Sequence, residues 1–475
     1  MSPVAILPRT DRSAARSVPC VMAIAAFAFA MSTAPDRLFG NDAAHFVHWI
    51  ASGQIPAAYH NPLYPQLALA LHSALRPHDP ALAMHLLSAL GMAIGVGFTT
   101  AALGRGGSPG RAVLAIGTLV AVTPVVWFFG AVVETHSLQF AAIAFATWLT
   151  LALDWQHGRR STVLLALALA VAQLTHPTTL VFGPGFLLLA HAMRPRAGDH
   201  SSLAQFVAKG GTLLVGMLGG AILSRALRGL PPALPTGESF ATIREFAGNF
   251  GVETIVETWL LPLALLAPLQ LVALGCALRR ATPRDLALAA SIVPATAFFL
   301  WWSVPERGAY LIGTIPATAL LLADLERTRA GVRTALPWIL AQAAIGAWQL
   351  FSFGSEQRLG ERITRLEFAL DNAGLVLSAS DNAPPAQHYS SQLEEINLTA
   401  LALQQPDDRV LVDSLVAFLR EELKRRPVVL DLSYRLRGGM RGMEGRIEAL
   451  ERELRARFAV RDLPDRSWPL LAFDR

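Results

Sequence analysis

Charge is what this sequence has least of: Asp, Glu, Lys and Arg make up 16% of its 475 residues, against roughly 25% in soluble domains. So little charge excludes an ordinary water-soluble protein of this size. Cysteine is nearly absent too. Cys20 and Cys276 both fall inside apolar runs, which excludes a disulfide framework and a cysteine zinc site. There is no convincing internal repeat and no low-complexity tract. The formal charge of +5 is modest, and its surplus sits in short loops. It reads as a topology signal, and no nucleic-acid partner is expected.

What is abundant is apolar sequence, at 53% of residues. Runs of spanning length recur from Val18 to about Gly354, and such runs mark transmembrane helices. The first, Val18–Ala34, follows Arg9, Arg12 and Arg16 as a signal peptide would. So many spans follow that an uncleaved first helix is the better reading. Further spans are expected at 83–103, 112–131, 136–153, 161–176, 178–193, 205–228, 255–278, 285–303, 309–324 and 334–353, eleven in all. The stretch 161–193 barely holds two, because Pro177 and Pro184 interrupt it. Leu63–Leu75 is apolar but too short to cross, so it reads as a helix lying at the interface.

Basic residues set the orientation. With the N-terminus inside, the cytoplasmic loops carry Arg105 and Arg111, Arg159 and Arg160, Arg194 and Arg196, Arg279, Arg280 and Arg284, and Arg327, Arg329 and Arg333. The opposite loops hold little beyond Arg37, Arg244 and Arg307, with Arg225 and Arg228 as exceptions. The positive-inside rule demands that asymmetry. The chain is therefore expected as a multi-pass protein of the cell (inner) membrane. Residues 1–354 form the membrane domain with a first outer loop at 35–82, and 355–475 follow on the non-cytoplasmic side.

That tail differs in kind. Gly374–Ser378 (GLVLS), Arg409–Val412 (RVLV) and Pro427–Leu432 (PVVLDL) read as short buried strands, with helical patterns at Leu415–Arg425 and Met443–Arg457. Strands alternating with helices predict a small α/β soluble domain. Val460–Arg475 carries no clear pattern. The fold class is thus a mainly α, polytopic membrane protein with a small C-terminal α/β domain.

Polar chemistry gathers in the outer loops. Asp42 stands just past the first helix, where a carboxylate can act as general base, ligate a metal, or simply cap the helix starting at Ala43. His45 and His48 follow at three-residue steps, a loose metal face or a solvated helix edge. Asn61-Pro62-Leu63-Tyr64-Pro65 is a rigid turn. Glu134-Thr135-His136 puts an acid and an imidazole beside an apolar helix, where they need partners or water. Thr175-His176-Pro177-Thr178 reads as a turn. Pro305-Glu306-Arg307-Gly308 follows two tryptophans, and Arg307 there suits a phosphate or a Glu306–Arg307 pair.

Taken in order, these motifs resemble a family. Asp42, His60-Asn61-Pro62-Leu63-Tyr64-Pro65, Val133-Glu134-Thr135-His136, Leu174-Thr175-His176-Pro177 and the late Glu306-Arg307-Gly308 are similar to the GT-C fold of polyprenyl-phosphate-sugar-dependent glycosyltransferases. The bacterial protein O-mannosyltransferase-like group is the nearest in pattern, and Val376–Asn382 with His388-Tyr389 resembles the opening of its soluble domain. The chain departs from that pattern at Ala43, Asn61 and His136, where a second acid, proline and an aromatic are usual. The resemblance implies sugar transfer from a polyprenyl-phosphate donor to a protein, lipid or glycan acceptor at the outer membrane surface. Asp42 would be the base, with Glu134 and His136 beside it in the catalytic set. His45, His60, Tyr64, His176, Glu306 and Arg307 would contact substrate, Arg307 through the lipid phosphate. A divalent metal stays open as a cofactor. So do two other readings, a transporter or lipid flippase and a GT-C-like scaffold without chemistry.

Overall fold

The computed structural model describes residues 11–34, 43, 46–47, 49–50, 53, 55, 61, 63–76, 80–155, 158–193, 203–230, 251–302, 308–328, 335–356, 365–371, 373–379, 393–405, 407–432, 444–463 and 470–474. Contacts divide the chain into two compact units. One holds Met1–Pro35 and Trp49–Phe351, the other Asp36–His48 and Ser352–Arg475. The segment expected as the first outer loop is thus shared between them.

The described part of the first unit is helical: α1 (Asp11–Ser32), α2 (Leu63–Leu75), α3 (Pro80–Arg105), α4 (Gly110–Ala121), α5 (Pro124–Ala131), α6 (His136–Ala152), α7 (Gly158–Thr175), α8 (Gly183–Ala192) and α9 (Leu203–Leu227). After them come α10 (Val252–Leu263), which contains a π turn at Val256–Leu260, then α11 (Leu266–Arg280), α12 (Pro283–Trp301), α13 (Ile315–Thr328) and α14 (Ala335–Glu356).

Three described helices are long and apolar enough to cross a bilayer alone: Ala81–Arg105, Leu203–Leu227 and Pro283–Trp301. Two bent pairs, α4 with α5 at 62° and α10 with α11 at 91°, raise the number to five at most. That is fewer than the eleven expected. Prolines and tight turns cut several apolar runs short. Pro177 opens a 3-10 turn, Pro177–Phe182, ahead of α8, and Gly308 with φ 68° opens another, Ala309–Thr314, ahead of α13. The apolar segments Ser17–Ser32, His136–Ala152, Pro177–Ala192 and Ala309–Asp324 are left at 10–17 residues.

Close packing of α3 on α6 sets the place of the polar residues at the start of α6. A Cβ at Gly91 would lie 2.8 Å from the carbonyl carbon of Ser137, and one at Gly95 would run into the ring of Phe140. Only glycine lets the two backbones approach this closely, as small residues do between helices in lipid.

The second unit is built on a five-stranded sheet of order β2-β1-β3-β5-β4, with β1 Gly374–Ser378, β2 Leu393–Asn397, β3 Val428–Asp431, β4 Val460–Leu463 and β5 Leu470–Phe473. Strand β1 runs parallel to β2 and β3, while β5 is antiparallel to β3 and β4. Between and after them lie α15 (Leu398–Gln404), α16 (Asp408–Glu422) and α17 (Glu444–Arg457). One sheet face, with Leu375, Leu377, Val428 and Leu430, packs under the three helices through Leu398, Leu411, Leu415, Leu419, Leu450 and Leu454. The other, with Val376, Leu393, Val429 and Leu470, is covered by Leu366 and Leu370.

Residues 374–378 and 428–431 are strands as the sequence indicates, but Arg409–Val412 is helix. Asp407 is the reason. Its carboxylate accepts from the N–H groups of Arg409 (2.9 Å) and Val410 (3.2 Å), an N-cap that starts α16 there. Apolar residues then bury on one face at helical spacing through Leu419.

Candidate functional site

Asp42, His45, His48, His60, Glu306 and Arg307 lie outside the described residues. Tyr64, Glu134, His136 and His176 are described, and all four belong to the helical unit.

Tyr64 sits in the first turn of α2 and is fully buried. Its hydroxyl lies 2.8 Å from Ser88 Oγ and donates to the carbonyl oxygen of Met84 at 3.2 Å. Ser88 Oγ in turn reaches the Glu134 carbonyl oxygen at 3.3 Å and amide nitrogen at 3.4 Å. Through one serine, the proline-tyrosine turn is therefore tied to the acid-histidine turn 70 residues later. Burial pushes the Tyr64 phenol well above its ordinary range, with Glu134 adding to the rise against the Ser88 hydrogen bond, so it stays protonated.

Glu134 is half-buried just ahead of α6. Its Oε1 accepts from the backbone N–H of Thr135 at 2.7 Å and from the Thr135 hydroxyl at 3.0 Å. A carboxylate at a helix start is stabilised by the unpaired N–H groups there.

His136 and His176 come together. Their ring centroids are 4.9 Å apart, and Tyr310 stands edge-on at 5.2 Å from His136 and 5.4 Å from His176. Phe129 packs on His136 at 5.0 Å, and Phe299 stacks on Tyr310 at 5.2 Å, with Trp302 at 5.1 Å. Three polar contacts link the imidazoles through Gln139 and Thr178. His136 Nδ1 is 3.2 Å from Gln139 Oε1, Gln139 Nε2 donates to Thr178 Oγ1 at 2.9 Å, and Thr178 Oγ1 is 2.7 Å from His176 Nδ1. His176 Nδ1 also accepts the Thr178 backbone N–H at 3.3 Å, capping the 3-10 turn. The turn role read from the sequence is real, and the ring serves the cluster at the same time.

Ser88, Gln139, Thr178 and Tyr310 escaped the sequence reading as site members. Gln139 follows His136 by three residues, one turn along the same helix face, and that spacing was the available signal. Ser88 offered none, because its partners are distant in the chain. Among the described residues no group of three or more His, Cys, Asp or Glu could hold a metal ion. The cluster can offer hydrogen-bond donors and acceptors, a carboxylate and aromatic surface.

The fold, a many-helix unit followed in the chain by an α/β unit, is shared with solved structures. ArnT from Cupriavidus metallidurans in the apo state matches with a TM-score of 0.62 at 15% identity, covering 97% of this chain and 98% of that one. The same protein bound to undecaprenyl phosphate matches at 0.59 and 14% identity, over 96% and 97%. The Archaeoglobus fulgidus oligosaccharyltransferase, in complex with Zn and sulfate, matches at 0.51 and 14% identity, over 91% of this chain and 69% of that one. No protein-family model and no curated protein matches the sequence.

Proposed function

We propose that the chain is a membrane glycosyltransferase that moves a sugar from a polyprenyl-phosphate donor to an acceptor hydroxyl at the outer membrane face. One observation carries this reading. The chain shares its fold end to end with ArnT, a protein also solved with undecaprenyl phosphate bound. In this account Asp42 takes the proton from the acceptor hydroxyl as it attacks the anomeric carbon with inversion. Arg307 stabilises the departing lipid phosphate by charge-assisted hydrogen bonds. Glu134 and His136 orient the reacting groups, and Tyr64, held neutral by burial, keeps the proline-tyrosine turn in register with them. A multi-pass topology, with N-terminus inside and the α/β unit outside, belongs to the same proposal.

A transporter or lipid flippase is the second reading. The two bent helix pairs favour it, since discontinuous helices mark transporter sites. Binding of undecaprenyl phosphate is the test of the phosphate role. Photo-crosslinking of a labelled lipid phosphate to wild type should be competed by unlabelled lipid. It should weaken roughly 10- to 100-fold in Arg307→Ala, the scale of losing a hydrogen bond to a charged group. Equal crosslinking in the two proteins would remove Arg307 from the phosphate.

A further inference from the structure

The α/β unit carries a polar row that the proposed reaction does not use. Strands β1, β2 and β3 are parallel, and their last residues stand in register, Asn397 beside Ser378 and Ser378 beside Asp431. Successive residues of a strand alternate between the two sheet faces. Val376, Leu393 and Val429 face the layer of Leu366 and Leu370. Ser378, Asn397 and Asp431 follow them by two or four residues on the same strands and so share that face. The row lies at the carboxyl ends of the parallel strands, where the strand order reverses. From here β1 leads out to β2 on one side, and β3 leads to α17, β4 and β5 on the other. Ligands of open α/β sheets bind in the crevice outside the carboxyl ends of the strands at such a reversal.

Ser378 is the member of the row that the fold leaves unused. It is only 1% exposed, and its hydroxyl oxygen has no hydrogen-bond partner among the described residues. A buried hydroxyl without a partner costs stability, and alanine at this position would remove the cost. Asp431 beside it is fully buried, and Asn397 on the edge strand is half-buried. Both are held by further interactions, so the row is ordered on either side of the serine. We propose that Ser378 is a binding residue for a neutral, hydroxyl-bearing ligand, a sugar, that enters from the β2 edge past Asn397. A serine hydroxyl can both donate to and accept from a sugar hydroxyl. None of the three side chains in the row is cationic, so nothing in it neutralises a phosphate or a carboxylate. A divalent cation such as calcium takes six to eight oxygen ligands, and the row offers one carboxylate. The sugar site rests on the transferase reading only for its use, which would be to recognise a sugar of the acceptor.

The test uses the full chain in lipid nanodiscs and a panel of free methyl glycosides of mannose, glucose, galactose and arabinose, with binding read by saturation-transfer NMR titration. Wild type should bind at least one glycoside. Ser378→Ala should weaken that binding roughly three- to tenfold, the scale of one neutral hydrogen bond. Its thermal midpoint should stay at or above that of wild type, because the substitution removes no bond within the protein. Inorganic phosphate and calcium should not compete with the glycoside. Absence of binding to folded wild type, equal binding in Ser378→Ala, or competition by phosphate or calcium would overturn the proposal. A midpoint of Ser378→Ala clearly below wild type would overturn it too, since the hydroxyl would then serve the fold. Glycoside binding that Ser378→Ala weakens, together with no transfer from any lipid-phosphate sugar by wild type, would uphold the site and count against the transferase reading alone.

Discussion

Gln342 on α14 is a single buried side chain that holds both bent helix pairs. Its amide donates to the Leu263 carbonyl oxygen at 2.8 Å and to Thr123 Oγ1 at 3.3 Å, and its Oε1 accepts the Leu265 N–H at 2.8 Å. Leu263 and Leu265 flank Ala264, whose φ of 46° is the left-handed kink that ends α10. Thr123 stands between α4 and α5 and also donates to Leu119 at 2.8 Å. Gln342→Met keeps volume and removes all three bonds. Two backbone groups then lose their partners where water is scarce, at about 1–3 kcal/mol each. Hydrogen bonds between membrane helices average only about 0.6 kcal/mol, because the unfolded chain in lipid finds other partners. Groups beside a fixed kink cannot re-form a helical bond, so the larger scale should win, and about 2–6 kcal/mol is expected. Reversible unfolding in mixed micelles measures it. Thr123→Val, which removes only the side-chain link to α14 and the local turn bond, should cost about 1 kcal/mol or less. A Gln342→Met protein within about 0.5 kcal/mol of wild type, an interval comparable to one average membrane hydrogen bond, would refute the reasoning.

Two further predictions concern stability in each unit. Burial raises the Tyr64 phenol, so the stability carried by its neutral form is complete below about pH 10, the unfolded value, and is lost as pH climbs above it. Tyr64→Phe should cost about 0.5–1.5 kcal/mol at neutral pH and flatten the alkaline loss of stability, read from thermal melts across pH in detergent. In the α/β unit, Arg446 donates to the carbonyl oxygens of Ala402 at 2.8 Å and Gln405 at 2.9 Å and pairs with Asp408. The Asp408 arm is largely exposed and adds little, but the two carbonyls close the end of α15. Arg446→Met should therefore destabilise this unit by about 1–3 kcal/mol, measured as a shift in its thermal transition.

Long apolar runs made the helical unit legible, because a segment that meets lipid cannot hide its composition. The breaks were less legible. A bend such as that after Leu263 depends on Gln342, 79 residues later, and local sequence holds no trace of the pairing. In the α/β unit, β1 and β3 are fully buried apolar strands and read as such. Strand β2 (LEEIN) and strand β4 (VRDL) lie at the sheet edges, where charged residues are tolerated and period-two patterning fades. The Arg409–Val412 run reads as a strand because four residues are too few to show a helical period, and the cap at Asp407 makes it helix. At the site, Glu134 and His136 stood out because polar residues beside apolar helices are expensive, while Tyr64 and His176 were singled out by the family motifs they resemble. Gln139 and Thr178, which join the two imidazoles, look ordinary in sequence and acquire meaning only through the hydrogen bonds they close.

The measurement closest to the centre of the account is transfer of label from a panel of polyprenyl-phosphate sugars in membranes, comparing wild type with Asp42→Asn. The account predicts transfer from at least one donor by wild type and a loss of roughly 10²–10⁴-fold in Asp42→Asn, the scale of a general base. Undiminished transfer by folded Asp42→Asn would contradict Asp42 as the base, and no transfer from any donor by intact wild type would contradict the glycosyltransferase itself.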